Sequence, residues 1–209
     1  MANGWEENGT GREELLQRVA LMEQMIAEGR RTTGRYGWIF VMWGLIYIAA
    51  MGWVGYLPYK NLAWPVCVLV GIAVHVVAKR RQRVEGVNRK NPRTHSIESV
   101  WKAMGTAVML FSFACIAGHS VTEPMFFSAM MFMVGLAHAT SALILRWVAQ
   151  GVAAAIWWGA GIAALFFTAP EQLYVSFMLA TLFGMVLFGL YAMALERRRS
   201  GEGVVERHA

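Results

Sequence analysis

The chain contains no aspartate, and only 15% of its 209 residues are charged. A soluble domain usually carries about a quarter. All 13 acidic residues are Glu, and none falls inside the apolar stretches described below. Ionisable groups are costly within a bilayer and are kept there for function. Their absence argues against the usual ion-coupled transporter or proton pump, and excludes an intramembrane aspartyl protease. Neither Gly-x-Ser-x-Gly nor His-Glu-x-x-His occurs, so hydrolysis has no motif. Cysteine is scarce as well. Cys67 and Cys115 both lie in apolar stretches, where lone thiols act as small packing residues and say nothing about redox compartment. No cleavable signal peptide is expected, because the first apolar run starts near Tyr36, behind a Glu- and Arg-containing segment.

What the chain does have is apolar length. Hydrophobic residues make up 57%, and they gather into stretches at about 36–56, 62–78, 100–118, 125–145, 152–168 and 173–195. Each approaches or exceeds the roughly 17–25 residues a helix needs to cross the hydrocarbon core. Barrel strands would alternate apolar and polar residues; the runs 107–113 and 130–134 do not. The expected fold is therefore an all-α integral membrane bundle of six transmembrane helices, 36–199, preceded by a cytoplasmic amphipathic helix.

Charge sets the expected orientation. Arg30, Arg31 and Arg35 precede the first stretch, and Lys79, Arg80, Arg81, Arg83, Arg89, Lys90 and Arg93 cluster between the second and third. Arg146 lies between the fourth and fifth, Arg197, Arg198 and Arg199 follow the sixth, and the opposite loops hold only Lys60. The positive-inside rule places both termini in the cytoplasm, in an inner membrane. The Asn8-Gly9-Thr10 sequon then falls on the wrong side for glycosylation. The formal charge of +6 is accounted for by topology and anionic lipid, without nucleic acid. Lys79, Arg80, Arg81 and Arg83 are candidates for binding anionic headgroups, beside the plainer reading of a stop-transfer signal.

The stretches pair into three similar units, roughly 43–81, 101–146 and 158–199, each opening on Trp and closing on basic residues. Outside them, 1–12 reads as disordered, 13–30 as an amphipathic helix within the 1–35 segment, and 200–209 as a solvated tail. Leu15, Val19, Met22 and Ile26 are spaced four, three, four, a heptad seam two heptads long that Leu16 and Met25 widen. Such a helix packs on the bundle, lies on the membrane, or docks a cytoplasmic partner or a second copy of the chain.

Inside the stretches His75 and His138 occupy similar places, after Gly71 and Gly135. If the units packed in a threefold arrangement, the two imidazoles could ligate a haem b, or, less readily, a metal ion. The commoner role is a histidine bonded across helices. Rows of small residues, Ala155-x3-Gly159-x3-Ala163, Ala180-x3-Gly184 and Cys67-x3-Gly71, mark expected helix contacts. Trp43, Trp157 and Trp158 lie deep enough that their indole N–H groups need partners.

The third unit, Trp158-Gly159-Ala160-Gly161 through Ala169-Pro170-Glu171 to Leu182-Phe183-Gly184 and Gly189, resembles the repeat of HdeD-like acid-resistance membrane proteins. The turns Leu57-Pro58 and Glu123-Pro124 have related layouts. The long basic loop, the N-terminal helix and the many Trp residues depart from that family. The resemblance implies a stress-related protein of three hairpins and supplies no functional residue. The residues themselves leave three functions open: a non-catalytic accessory component docking a partner on its cytoplasmic face, a channel for a small neutral or apolar solute, and a haem electron carrier through His75 and His138.

Overall fold

A computed structural model describes residues 6–35, 37–84, 92–118 and 121–205. Among them every element is helical and there is no strand. Helix α1 spans Glu6–Arg35, α2 Gly37–Tyr56, α3 Lys60–Val84 and α4 Pro92–Gly118. Then follow α5 Glu123–Leu145, α6 Val148–Ala164 and α7 Pro170–Thr181, which runs through a π-helical segment, Leu182–Leu187, into α8 Phe188–Val205.

Among the described residues three helices are long and apolar enough to cross a membrane: Gly37–Tyr56, Glu123–Leu145 and the continuous Pro170–Arg198. Leu62–Ala78 and Val148–Ala164 are apolar but shorter. Large apolar side chains stay exposed along these helices, among them Leu69, Val70 and Val77 of α3, Leu110 and Phe113 of α4, and Leu143 and Val152 flanking the α5–α6 turn. Soluble monomers rarely expose apolar surface on this scale. The chain is all-helical and has the makings of a membrane protein.

Local chemistry explains the helix ends. Thr122 takes an extended conformation ahead of α5, whose first turn holds Glu123 and Pro124. Proline fits there because the first N–H groups lack intrahelical partners anyway, and Glu complements the positive end of the helix. At the other end Arg146 adopts the left-handed conformation (φ 49°), and the Trp147 N–H donates to the Ala142 carbonyl at 3.0 Å. This is a Schellman closure, with Arg where Gly is usual. It turns the chain in two residues, so α5 and α6 pack antiparallel, the most extensive helix pairing among the described residues. Their register is set by contacts of Gly161 with Phe132, Gly135 with Trp158, and Gly151 with Ala142.

The core comes from four elements: Phe40 and Met51 of α2, Phe127, Met131 and Val134 of α5, Ala153 and Trp157 of α6, and Phe177, Ala180, Met185 and Phe188 of the last span. Helix α2 crosses α8 at Gly37 and Gly189, where a Cβ on either residue would meet the other's carbonyl oxygen at 2.6 Å. Only glycine allows so close a backbone approach. Helix α3 packs mainly against α2, with Trp64 reaching Phe177 of α7 at 6.0 Å, and α4 packs against α5 and α1.

Several boundaries differ from expectation. Helix α1 begins at Glu6, inside the stretch read as disordered. Helix α4 begins at Pro92, eight residues before the third apolar stretch, because proline is tolerated in a first helical turn. Helix α6 stops at Ala164, where Phe166 bonds back three residues to Ala163 and tightens the end. Among the small-residue rows, Ala180 and Gly184 are buried, and Gly71 packs on Trp43 and Ile46. The α6 row is different. Ala155 and Gly159 are exposed and a Cβ on Gly159 would meet nothing, so the buried face of α6 is Ala153, Ala154, Trp157, Gly161 and Ala164 instead.

Candidate functional site

Two features stand out from an otherwise apolar interior and surface. The first is a buried group of polar side chains on α5, α6 and the last span. His138 is fully buried, and its ring is enclosed by Trp101 of α4, Phe188 of α8 and Phe40 of α2, at centroid distances of 4.9, 5.4 and 5.6 Å. Phe40 in turn meets Trp101 at 4.9 Å and Phe188 at 5.2 Å, so four helices contribute to one aromatic cluster. Edge-to-face contacts dominate it, the geometry aromatic rings prefer.

Neither ring nitrogen of His138 has a hydrogen-bond partner. The same holds for the Ser141 hydroxyl, both polar atoms of the Gln150 amide, the indole N–H groups of Trp101 and Trp157, and the Thr181 hydroxyl. The contrast with α4 is direct. There Thr106 and Ser112 bond back to the Lys102 and Val108 carbonyls at 3.0 and 2.8 Å. Trp158 likewise donates to the Phe132 carbonyl at 3.3 Å, whereas Trp157 lies against Gly184 within the π-helical segment. Each buried polar group left unpartnered costs about 1–3 kcal/mol. π-Segments inside α-helices are themselves frequent at functional positions.

His75 sits on α3, which packs mainly on α2, and the His138 ring is enclosed by rings from α2, α4 and α8. Among the described residues no group of three His, Cys, Asp or Glu side chains could hold a metal ion. Of the candidate headgroup ligands, all four belong to the last turns of α3. Arg80 and Arg81 are exposed there, and the side chains of Lys79 and Arg83 lie outside the described residues.

The second feature is α1. Its heptad seam is open: Leu15 is 63% exposed, Val19 46% and Met22 49%, while Ile26 is half-buried. Leu16 and Leu21 are exposed beside it. Glu14 and Arg18 pair at 2.6 Å on the helix surface. Helix α1 nevertheless has a fixed seat, packing against α8, α4, α5 and, more lightly, α2. These helices supply the four rings of the aromatic cluster. Heptad spacing revealed the seam in the sequence. The polar interior left no such signal, because isolated Ser, Thr and Gln residues in apolar runs show no periodicity of their own.

A cleft of about 650 Å³ between α6 and the last span is lined by apolar side chains such as Ile156, Val175 and Phe183, with Glu171 and Gln172 at one end. Its lining holds no convergent set of polar groups of the kind that orients a small ligand. No family model, curated protein or solved structure matches this chain.

Proposed function

We propose that this chain is a six-span protein of the inner membrane, with both termini cytoplasmic, that works without catalysis by docking a partner through α1. The basic clusters support the orientation, since all four agree with an even number of crossings. The antiparallel packing of α5 with α6, and of α2 with α8, is what alternating spans require.

The observation that carries the docking reading is the open seam of Leu15, Val19 and Met22 on a helix otherwise seated against the bundle. A helix built to lie on an anionic membrane surface is rich in Lys and Arg on its polar face. Helix α1 instead carries six Glu against five Arg. So nearly balanced a charge gives an anionic leaflet little to attract, and a protein partner needs no such attraction.

The test is size. In mild detergent the wild-type protein should migrate as an assembly larger than one chain in its micelle, and Val19→Glu/Met22→Glu should migrate as the lone chain. Equal migration of the two proteins would remove the reading.

One observation favours a second reading, passage of a small neutral solute. The unpartnered atoms of Gln150, Ser141, His138, Trp157 and Thr181 are neutral hydrogen-bonding groups distributed along the interior faces of α5, α6 and the last span. Liposomes containing the protein should then pass water or small neutral solutes faster than empty ones, and equal rates would end this reading.

A further inference from the structure

The partner can be identified more closely, on the reading that α1 docks something. With Leu15 and Met22 at d and Val19 and Ile26 at a, Arg18 falls at g and Glu23 at e of the following heptad. Both Arg18 and Glu23 are exposed. In a parallel two-stranded coiled coil a g residue faces the e residue five positions on in the other helix. Arg18 would therefore meet Glu23 of the partner subunit, and Glu23 would meet the partner's Arg18, so the twofold makes the contact twice. An antiparallel pairing centred on the same seam sets Arg18 against the partner's Met25, and Glu23 against the partner's Leu16, facing each charge with an apolar chain.

We propose that the occupant of the α1 seam is α1 of a second copy of this chain, paired in parallel. Four seam positions are too few for a free coiled coil, which needs roughly three or four heptads. The bundle offsets this shortfall, because α1 is held by α8, α4 and α5, and two chains confined to one bilayer meet at high effective concentration. Leu16 at e and Met25 at g widen the apolar contact beyond a strict a/d stripe.

The experiment has two arms in native membranes. In a Cys67→Ala/Cys115→Ala chain, single substitutions Val19→Cys, Leu21→Cys and Met22→Cys are oxidised in turn. Val19→Cys and Met22→Cys should give disulfide-linked dimer at least about fivefold above Leu21→Cys, whose c position faces away from the seam. In the second arm an Arg18→Glu chain and a Glu23→Arg chain carry different tags and are expressed together. Each alone places like charges opposite each other twice, whereas the mixed pair places opposite charges twice. Mixed dimers should exceed either self-dimer by about fivefold. Equal cross-linking at all three positions, or random pairing of the two variants, would overturn the proposal. If no dimer forms but Met22→Cys is still shielded from a charged maleimide, the second copy is wrong and docking stands. If it is unshielded as well, both readings fail.

Discussion

The α2–α8 crossing gives a sharp test of the packing. Gly189 lies so close to α2 that an added Cβ would sit 2.6 Å from the Gly37 carbonyl oxygen, 2.8 Å from Val41 Cγ2 and 3.1 Å from Phe40 Cβ. The first of these atoms belongs to the backbone and cannot rotate away. Gly189→Ala must therefore push the helices apart by several tenths of an ångström, moving Phe40 out of its contacts with His138, Trp101 and Phe188. Overpacking of this kind costs about 1–3 kcal/mol. Alanine returns at most about 1 kcal/mol of helix propensity. At about 2–4 °C per kcal/mol for a chain of this size, the overpacking should lower the melting temperature by roughly 2–12 °C relative to a variant that gains the alanine propensity alone. The control is Gly159→Ala, where a Cβ meets nothing and the propensity gain stands alone. Thermal unfolding of both variants in one detergent, followed by loss of the monodisperse gel-filtration peak, makes the comparison. A Gly189→Ala protein as stable as Gly159→Ala would refute the close crossing.

Other consequences concern single residues. Arg146 holds a left-handed conformation that costs a non-glycine residue roughly 1–2 kcal/mol, so Arg146→Gly should raise thermal stability, and Arg146→Val should lower it. His138→Phe keeps the ring in its aromatic enclosure and removes two unpartnered nitrogens; the variant should be at least as stable as wild type, and a clear loss would show that those nitrogens are bonded in the native protein. The enclosure of His138 by three aromatic rings also predicts that the purified protein shows no Soret band after growth with excess haem, and a band lost in His138→Ala would contradict that placement.

How much of this was legible in the sequence depends on whether the feature repeats. Apolar runs are long and periodicity-free, so α2, α5 and the last span could be located to within a few residues. The Glu123-Pro124 start and the Arg146 end of α5 are written in local chemistry. The burial of α6 was misread because small residues occupy both of its faces: Ala155 and Gly159 form a row as regular as any, yet the packed row is Ala153, Trp157, Gly161 and Ala164. In a helix of Ala and Gly, only the position of a large residue such as Trp157 distinguishes the two. Pairing His75 with His138 assumes that similar positions in similar units meet in space, and contacts between distant helices leave no mark on a single sequence. The π-helical segment was invisible for the same reason, since Leu182–Leu187 is as apolar as its neighbours. The α1 seam was legible because a heptad is a local pattern, and its exposure is what the structure added.

The most direct test of the docking claim is the reactivity of adjacent cysteines on α1. In a chain lacking Cys67 and Cys115, Met22→Cys lies on the seam and Leu21→Cys beside it, and the two side chains are similarly exposed in a single chain, at 49% and 57% for the native residues. A membrane-impermeant maleimide applied to inside-out native membranes should label Met22→Cys several-fold more slowly than Leu21→Cys, and the difference should vanish once a denaturing detergent such as SDS, unlike a mild one, separates the chains. Equal labelling of the two positions in the membrane would mean that nothing occupies the seam.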